Sequence, residues 1–192
     1  MPDDLLARHR EPRRRYHTAV HVMWVLRHVD ELVTAELVDT GIDAPAVRAA
    51  ALFHDAVYDP RSSTNEADSA VLAVGALVPL GWAQERLDLV AALILGTAGH
   101  DPDVAAADPA AAVLFDADLA ILGSSPAEYQ AYVIGVRSEY AHVDDAGWRS
   151  GRRAVLQTFL GRDPIFATVT MRTARERRAR ANLAAELAGL DQ

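Results

Sequence analysis

The chain has 192 residues, about half of them apolar, and its 27 acidic against 19 basic residues give a formal charge of −8. That length supports one domain with a substantial core, or at most two small ones, and the charge argues against nucleic acid as the main partner. Cysteine is absent and every basic residue is arginine, which removes disulfides, thiolate metal sites, thiol nucleophiles and P-loop or Schiff-base lysines.

The N-terminal MPDDLLARHREPRRR is charged throughout and lacks the apolar core of a signal peptide. It reads as a charged leader in which His9 has no special role. Strict apolar alternation is nearly absent, whereas i, i+3, i+4 spacing recurs along the chain. A first long helix is predicted from Tyr16 to Asp39, with Val22, Leu26, Val29 and Val33 as its core stripe. A second follows Asp43-Ala-Pro45, where proline suits the first turn, and runs to about Tyr58. Ser63 and Glu66 have capping-box spacing and predict the start of a third, closed at Gly81. A fourth is expected over 83–99, a fifth from Pro109 to Leu122, and two more at about 126–142 and 147–160. A C-terminal helix over 171–192 carries Leu183, Leu187 and Leu190 on one stripe and is expected to dock at the periphery. Its Arg172–Arg180 run reads as a solvated amphipathic face rather than an RNA-binding segment. The longest apolar stretches, near 71–83 and 89–99, contain Gly or Pro and fall short of a membrane span. The expectation is an all-α, single-domain helical bundle, cytoplasmic, with no membrane partner; a homodimer is compatible with this reading.

Chemistry concentrates in a few positions. His17 and His21 are four apart and predicted on one helix face. His54 and Asp55 interrupt the apolar ALFHDAVYDP, and Asp116 and Asp118 sit within VLFDADLAILG. Three apolar segments thus carry an imidazole or a carboxylate where an uncompensated polar group is costly to bury. A bound divalent cation accounts for all three, since imidazole nitrogen and carboxylate oxygen suit borderline metals and no thiolate is available.

The order His21, His54-Asp55, Asp118 resembles the H…HD…D signature of the HD superfamily of metal-dependent phosphohydrolases. The segment Tyr16-His17-Thr-Ala-Val-His21 is similar to the Y-H-N-x-x-H helix of cyclic-nucleotide phosphodiesterases, with Thr18 in place of the asparagine. FHDAVYDP, NEADSA, FDADLAILG, Glu139-Tyr140 and ARANL resemble a bacterial family of predicted HD phosphohydrolases over most of the chain. The resemblance implies an HD-type helical domain with His21, His54, Asp55 and Asp118 as ligands of one or two divalent ions (Mn, Fe, Co, Ni, Zn or Mg). It implies hydrolysis of a phosphomonoester or phosphodiester, on a small nucleotide-like phosphorylated substrate, by metal-activated water. His17 then takes the position of the general acid, and Asp55 bridges to a second metal or orients the water.

Two secondary readings follow. His100-Asp101 is a second HD dipeptide, but Pro102 pushes Asp101 out of helical geometry, so Asp101 is expected in a turn or cap. His100 lies where HD proteins place a substrate or second-metal histidine. Glu66 has a catalytic reading, supporting the water, beside its capping-box reading. Arg13, Arg14 and Arg15 are candidate phosphate clamps, with Arg15 taken as the substrate-binding one. His28 is a packed or supporting histidine, and His142 a solvated helix end. The rival functions are an HD-type di-iron oxygenase, for which only His100 is available between the doublet and Asp118, and a non-catalytic nucleotide-binding module.

Overall fold

In the computed structural model, residues 2–36 and 41–190 are described, and all regular structure among them is helical. Ten α-helices follow in order: α1 (Pro2–Arg8), α2 (Ala19–Glu36), α3 (Ala44–Phe53), α4 (Asn65–Leu77), α5 (Gln84–Gly96), α6 (Pro102–Ala107), α7 (Pro109–Leu119), α8 (Pro126–Glu139), α9 (Asp145–Leu160) and α10 (Val169–Gly189). Short 3-10 turns at Val78–Leu80 and Ala120–Gly123 extend α4 and α7. No single helix among the described residues is long and apolar enough to cross a membrane. The predicted end of the first long helix at Asp39 and the last two residues of the chain lie outside the described residues.

Sequence punctuation explains most boundaries. Proline occupies the first turn of α3, α6, α7 and α8, each opened by an Asp or Ser whose side chain accepts a backbone N–H of that turn. Asp101 is one of these caps, as expected from Pro102. The Ser63–Glu66 box does not form. The N-cap of α4 is Thr64, whose hydroxyl donates to Asp68 at 2.8 Å.

The core is built on α3 and α7. Alanine dominates both, and Ala46, Ala50, Ala51, Ala117 and Ala120 are fully buried, so neighbouring backbones approach closely. α7 is enclosed on all sides, from Ala110 to Ala117 without a break. α3 lies against α2, α4, α5 and α7, and most of the buried apolar residues from α2 to α10 form one contiguous cluster.

α10 is not peripheral. Met171, Ala179 and Leu183 belong to that cluster, and its arginines are not simply solvated. Arg175 and Arg178 donate to the carbonyls of Ala120 and Gly123, and Asn182 donates to those of Leu122 and Ser124 at 2.8 and 3.1 Å. They supply partners for carbonyls that the end of α7 and its 3-10 turn leave unpaired. A Cβ on Gly123 would lie 2.5 Å from the Arg175 Cβ, so a glycine is what lets α10 seat here.

The N-terminus also departs from expectation. Residues 2–8 form a helix, and His9 behind it is buried, with Nε2–H donating to the Leu52 carbonyl at 3.3 Å. Burial, then the nearby Arg14 charge, lowers the His9 pKa to about 4. An unfolded histidine titrates near 6.5. The neutral ring is the form that fits, so its contribution is complete above the unfolded pKa and is lost as pH falls from there through about 4. We expect urea unfolding of the wild type to lose about 2 kcal/mol more between pH 7 and pH 5 than that of His9→Leu.

Candidate metal centre

The site is assembled where four segments meet. α2 brings His21. α3 ends at Phe53, earlier than its pattern predicts, which places His54 at the helix C-cap and Asp55 in the turn beyond it. The last turn of α7 brings Asp118, and the loop after α5 brings His100, whose positive φ of 46° turns the chain between α5 and α6. His17 lies in the turn before α2 rather than inside the helix, with its ring centroid 5.6 Å from that of His21.

The polar atoms converge tightly. His21 Nε2 lies 3.2 Å from His54 Nε2, 3.3 Å from Asp55 Oδ2 and 3.2 Å from Asp118 Oδ1. His54 Nε2 lies 3.2 Å from Asp55 Oδ2 and 3.7 Å from Asp118 Oδ1. Asp118 presents its other oxygen to His100 Nε2 at 2.8 Å. His54 Nδ1–H donates to the Ala51 carbonyl at 2.9 Å, which fixes the ring and leaves Nε2 to the cluster. Among the described residues His21 Nδ1 is buried with no hydrogen-bond partner.

Burial works against charge on every member, and mutual pairing overrides it. Burial would lower both imidazole pKa values, yet Asp118 and Asp55 lift that of His21, and the same two carboxylates lift that of His54 further. Burial would raise both carboxylates, yet the neighbouring imidazoles hold Asp55 and Asp118 well below the usual range. Imidazole nitrogen and carboxylate oxygen are donor types that suit a divalent cation. Among the described residues, one ligand atom each from His21, His54 and Asp55 lies within 4.8 Å of the others, a group that could hold a metal ion.

Two buried side chains fasten the surrounding turns. Arg14 is 3% exposed. Its guanidinium donates to the carbonyls of Asp55 at 2.7 Å, His17 at 3.0 Å and Ala56 at 3.2 Å, joining the turn before α2 to the turn after α3. Glu139, at the end of α8, accepts the backbone N–H groups of Arg15, Tyr16 and His17 through Oε1 at 2.6, 2.8 and 3.1 Å. Its Oε2 accepts His17 Nδ1–H at 2.7 Å and the Tyr58 hydroxyl at 3.0 Å. Burial opposes ionisation of Glu139, but the His17 imidazole and the amides hold its pKa at about 2.

A cavity of about 390 Å³ adjoins the cluster and is lined by His17, His54, Asp55, His100 and Asp118 among others. Glu66 lines it from the first turn of α4, outside the His/Asp cluster. Arg15 is not among its lining residues. It is exposed, and its guanidinium donates to the carbonyls of Pro12 and Arg14. His28 is buried elsewhere, between Glu31 and Arg175. His142 stays in the link between α8 and α9, stacked on Tyr140.

Asp116 faces the other way from Asp118. Its carboxylate accepts the N–H groups of Ala167 and Thr168 at 2.9 and 2.7 Å and the Thr168 hydroxyl at 2.6 Å, anchoring the start of α10. Compared with family models, with curated proteins and with solved structures, the chain matches none.

The two α7 aspartates therefore separate by experiment. Asp116→Ala strands the donors at 167–168 and is expected to cost about 2–4 kcal/mol in chemical denaturation while metal uptake is retained. Asp118→Ala is expected to lose metal uptake, read by elemental analysis of the two proteins side by side.

Proposed function

We propose that the chain is a metal-dependent phosphohydrolase acting on a phosphomonoester or phosphodiester of a small, nucleotide-like molecule. The convergence of His21, His54, Asp55 and Asp118 beside a cavity that also presents His17 carries the reading. It accords with the resemblance of the same residues to the HD superfamily signature. The four side chains would hold a divalent ion, and a His₂Asp₂ set with waters suits manganese, iron, cobalt, nickel, zinc or magnesium.

When bound, such an ion supplies Lewis acidity, acidifying water and offsetting charge on a phosphoryl oxygen. The remaining tasks fall to the chain. Asp55 is placed to orient the attacking water, and Glu66, a carboxylate on the cavity outside the cluster, is suited to support that water and take its proton. His17 is suited to protonate the leaving oxygen. With Nδ1–H committed to Glu139, its Nε2 is the nitrogen left for proton transfer, and the Glu139 carboxylate stabilises the imidazolium that donates. Glu139 is thus a positioning residue, and Arg14 holds the backbone on which His17 and Asp55 sit.

Purified wild type incubated with manganese, nickel or iron is expected to hold about one ion per chain and to hydrolyse phosphate esters, with both properties lost in Asp55→Ala. A wild type that takes up none of these metals would sink the hydrolase reading. Proton donation has its own signature. His17→Asn and Glu139→Gln are expected to lower kcat about 100-fold on an alkyl phosphate, whose leaving oxygen needs a proton. Loss on 4-nitrophenyl phosphate should stay under about tenfold, with metal content unchanged, because that leaving group departs as the anion.

A further inference from the structure

The cavity beside the cluster has a composition that selects among phosphate esters. Tyr16, Tyr58, Tyr132, Tyr140 and Phe159 contribute five aromatic rings to its lining. Arginine is the chain's only permanently cationic residue, and none is among the described residues that line this cavity. Three guanidinium groups pack against those rings: Arg14 over Tyr58 at 5.4 Å, Arg152 over Tyr132 at 5.1 Å and Arg162 over Phe159 at 4.5 Å. Each has other partners. Arg14 holds three backbone carbonyls, Arg152 holds Glu186 and the Tyr132 hydroxyl, and Arg162 holds the Gly99 carbonyl. Apart from the His/Asp cluster, His17 and His100, the polar remainder of the wall is neutral, in Ser62, Asn65 and Thr97, or acidic, in Glu66.

We propose, on the basis of the hydrolase reading, that the substrate bears one phosphoryl group on an uncharged, ring-bearing alcohol, as in a nucleoside monophosphate, and that nucleoside di- and triphosphates are disfavoured. A single phosphoryl group would have partners at the ion that the His/Asp cluster would hold, and at His17 and His100. Further phosphates would need arginine forks or backbone cradles, and here would meet aromatic rings and the Glu66 carboxylate. A volume of about 390 Å³ sits toward the small end of ligand sites and admits a monophosphate with one ring system. The rings offer that remainder a stacking surface. In the reaction, the water oxygen bonds to phosphorus as the ester P–O bond breaks. The leaving oxygen takes a proton, and the alcohol and inorganic phosphate are released.

The test is calorimetric titration of the manganese-loaded protein with analogues that cannot turn over, in which methylene groups replace the ester oxygen and every bridging anhydride oxygen of AMP, ADP and ATP. Methylphosphonate serves as the ring-free control. The AMP analogue is expected to bind at least about tenfold tighter than the ADP and ATP analogues and than methylphosphonate. Phe159→Ala should weaken the AMP analogue about tenfold and methylphosphonate less. Equal or tighter binding of the ATP analogue, equal binding of methylphosphonate, or no binding of any of the four overturns the proposal. Hydrolysis of AMP, ADP and ATP is followed in parallel. Selective binding without hydrolysis would uphold the pocket and remove the hydrolase reading, whereas hydrolysis with a preference for triphosphate would do the reverse.

Discussion

Two carboxylates and two imidazoles sit together against the alanine-rich core, and each alone would cost several kcal/mol to bury charged. Their closeness offsets part of that cost, because His21 Nε2 reaches a partner atom of each of the other three within 3.3 Å. Much of the local architecture serves that meeting. α3 must stop at Phe53 so that Asp55 can leave the helical path and turn toward α2. α7 must reach as far as Asp118 before its 3-10 turn begins. Alanine on the facing surfaces lets α2, α3 and α7 come close enough for short side chains to touch.

The segment between Arg14 and Thr18 belongs to no helix, yet it is held on both sides. Arg14 reaches three carbonyls, two of them in the turn after α3, while Glu139 gathers three successive backbone N–H groups and the His17 ring from the end of α8. A buried guanidinium against carbonyls and a buried carboxylate against amides are complementary ways to satisfy an irregular backbone. Together they hold His17 without helical hydrogen bonds, so its placement depends on Glu139, more than 100 positions away. Under the proposed hydrolase reading, a side chain that hands over a proton would gain from such pre-organisation.

Much of the helical frame can be read from periodicity and from proline and glycine punctuation, because those signals act within one or two turns. The helices α5, α7, α8 and α9 start and stop within a few residues of where proline, glycine and capping side chains direct them. The residues of the His/Asp cluster stand out because they are polar in apolar surroundings. Arg14 does not, since it is one of several arginines in a row and only the tertiary contact with the Asp55 carbonyl tells it from Arg13 and Arg15. Glu139 looks like any acidic residue near a helix end, and its partners come from the distant N-terminal third of the chain. α1 is too charged and too short to show a periodic stripe, and His9 becomes buried only because the Leu52 end of α3 lies beside it. Between Asp116 and Asp118 a choice was readable in part. Two positions on a helix project about 200° apart, so one cavity cannot receive both.

That opposition makes α7 a keyed shaft. On one side Asp118 completes the His/Asp cluster, and on the other Asp116 seats the first residues of α10, with no exposed face between Ala110 and Ala117 to absorb error. Substitutions among its alanines change only volume, but one residue inserted or deleted upstream rotates both aspartates by about 100°. Both connections would fail in the same event. Length variation in descendants of this sequence should therefore gather in the links on either side of α7 and spare the helix itself.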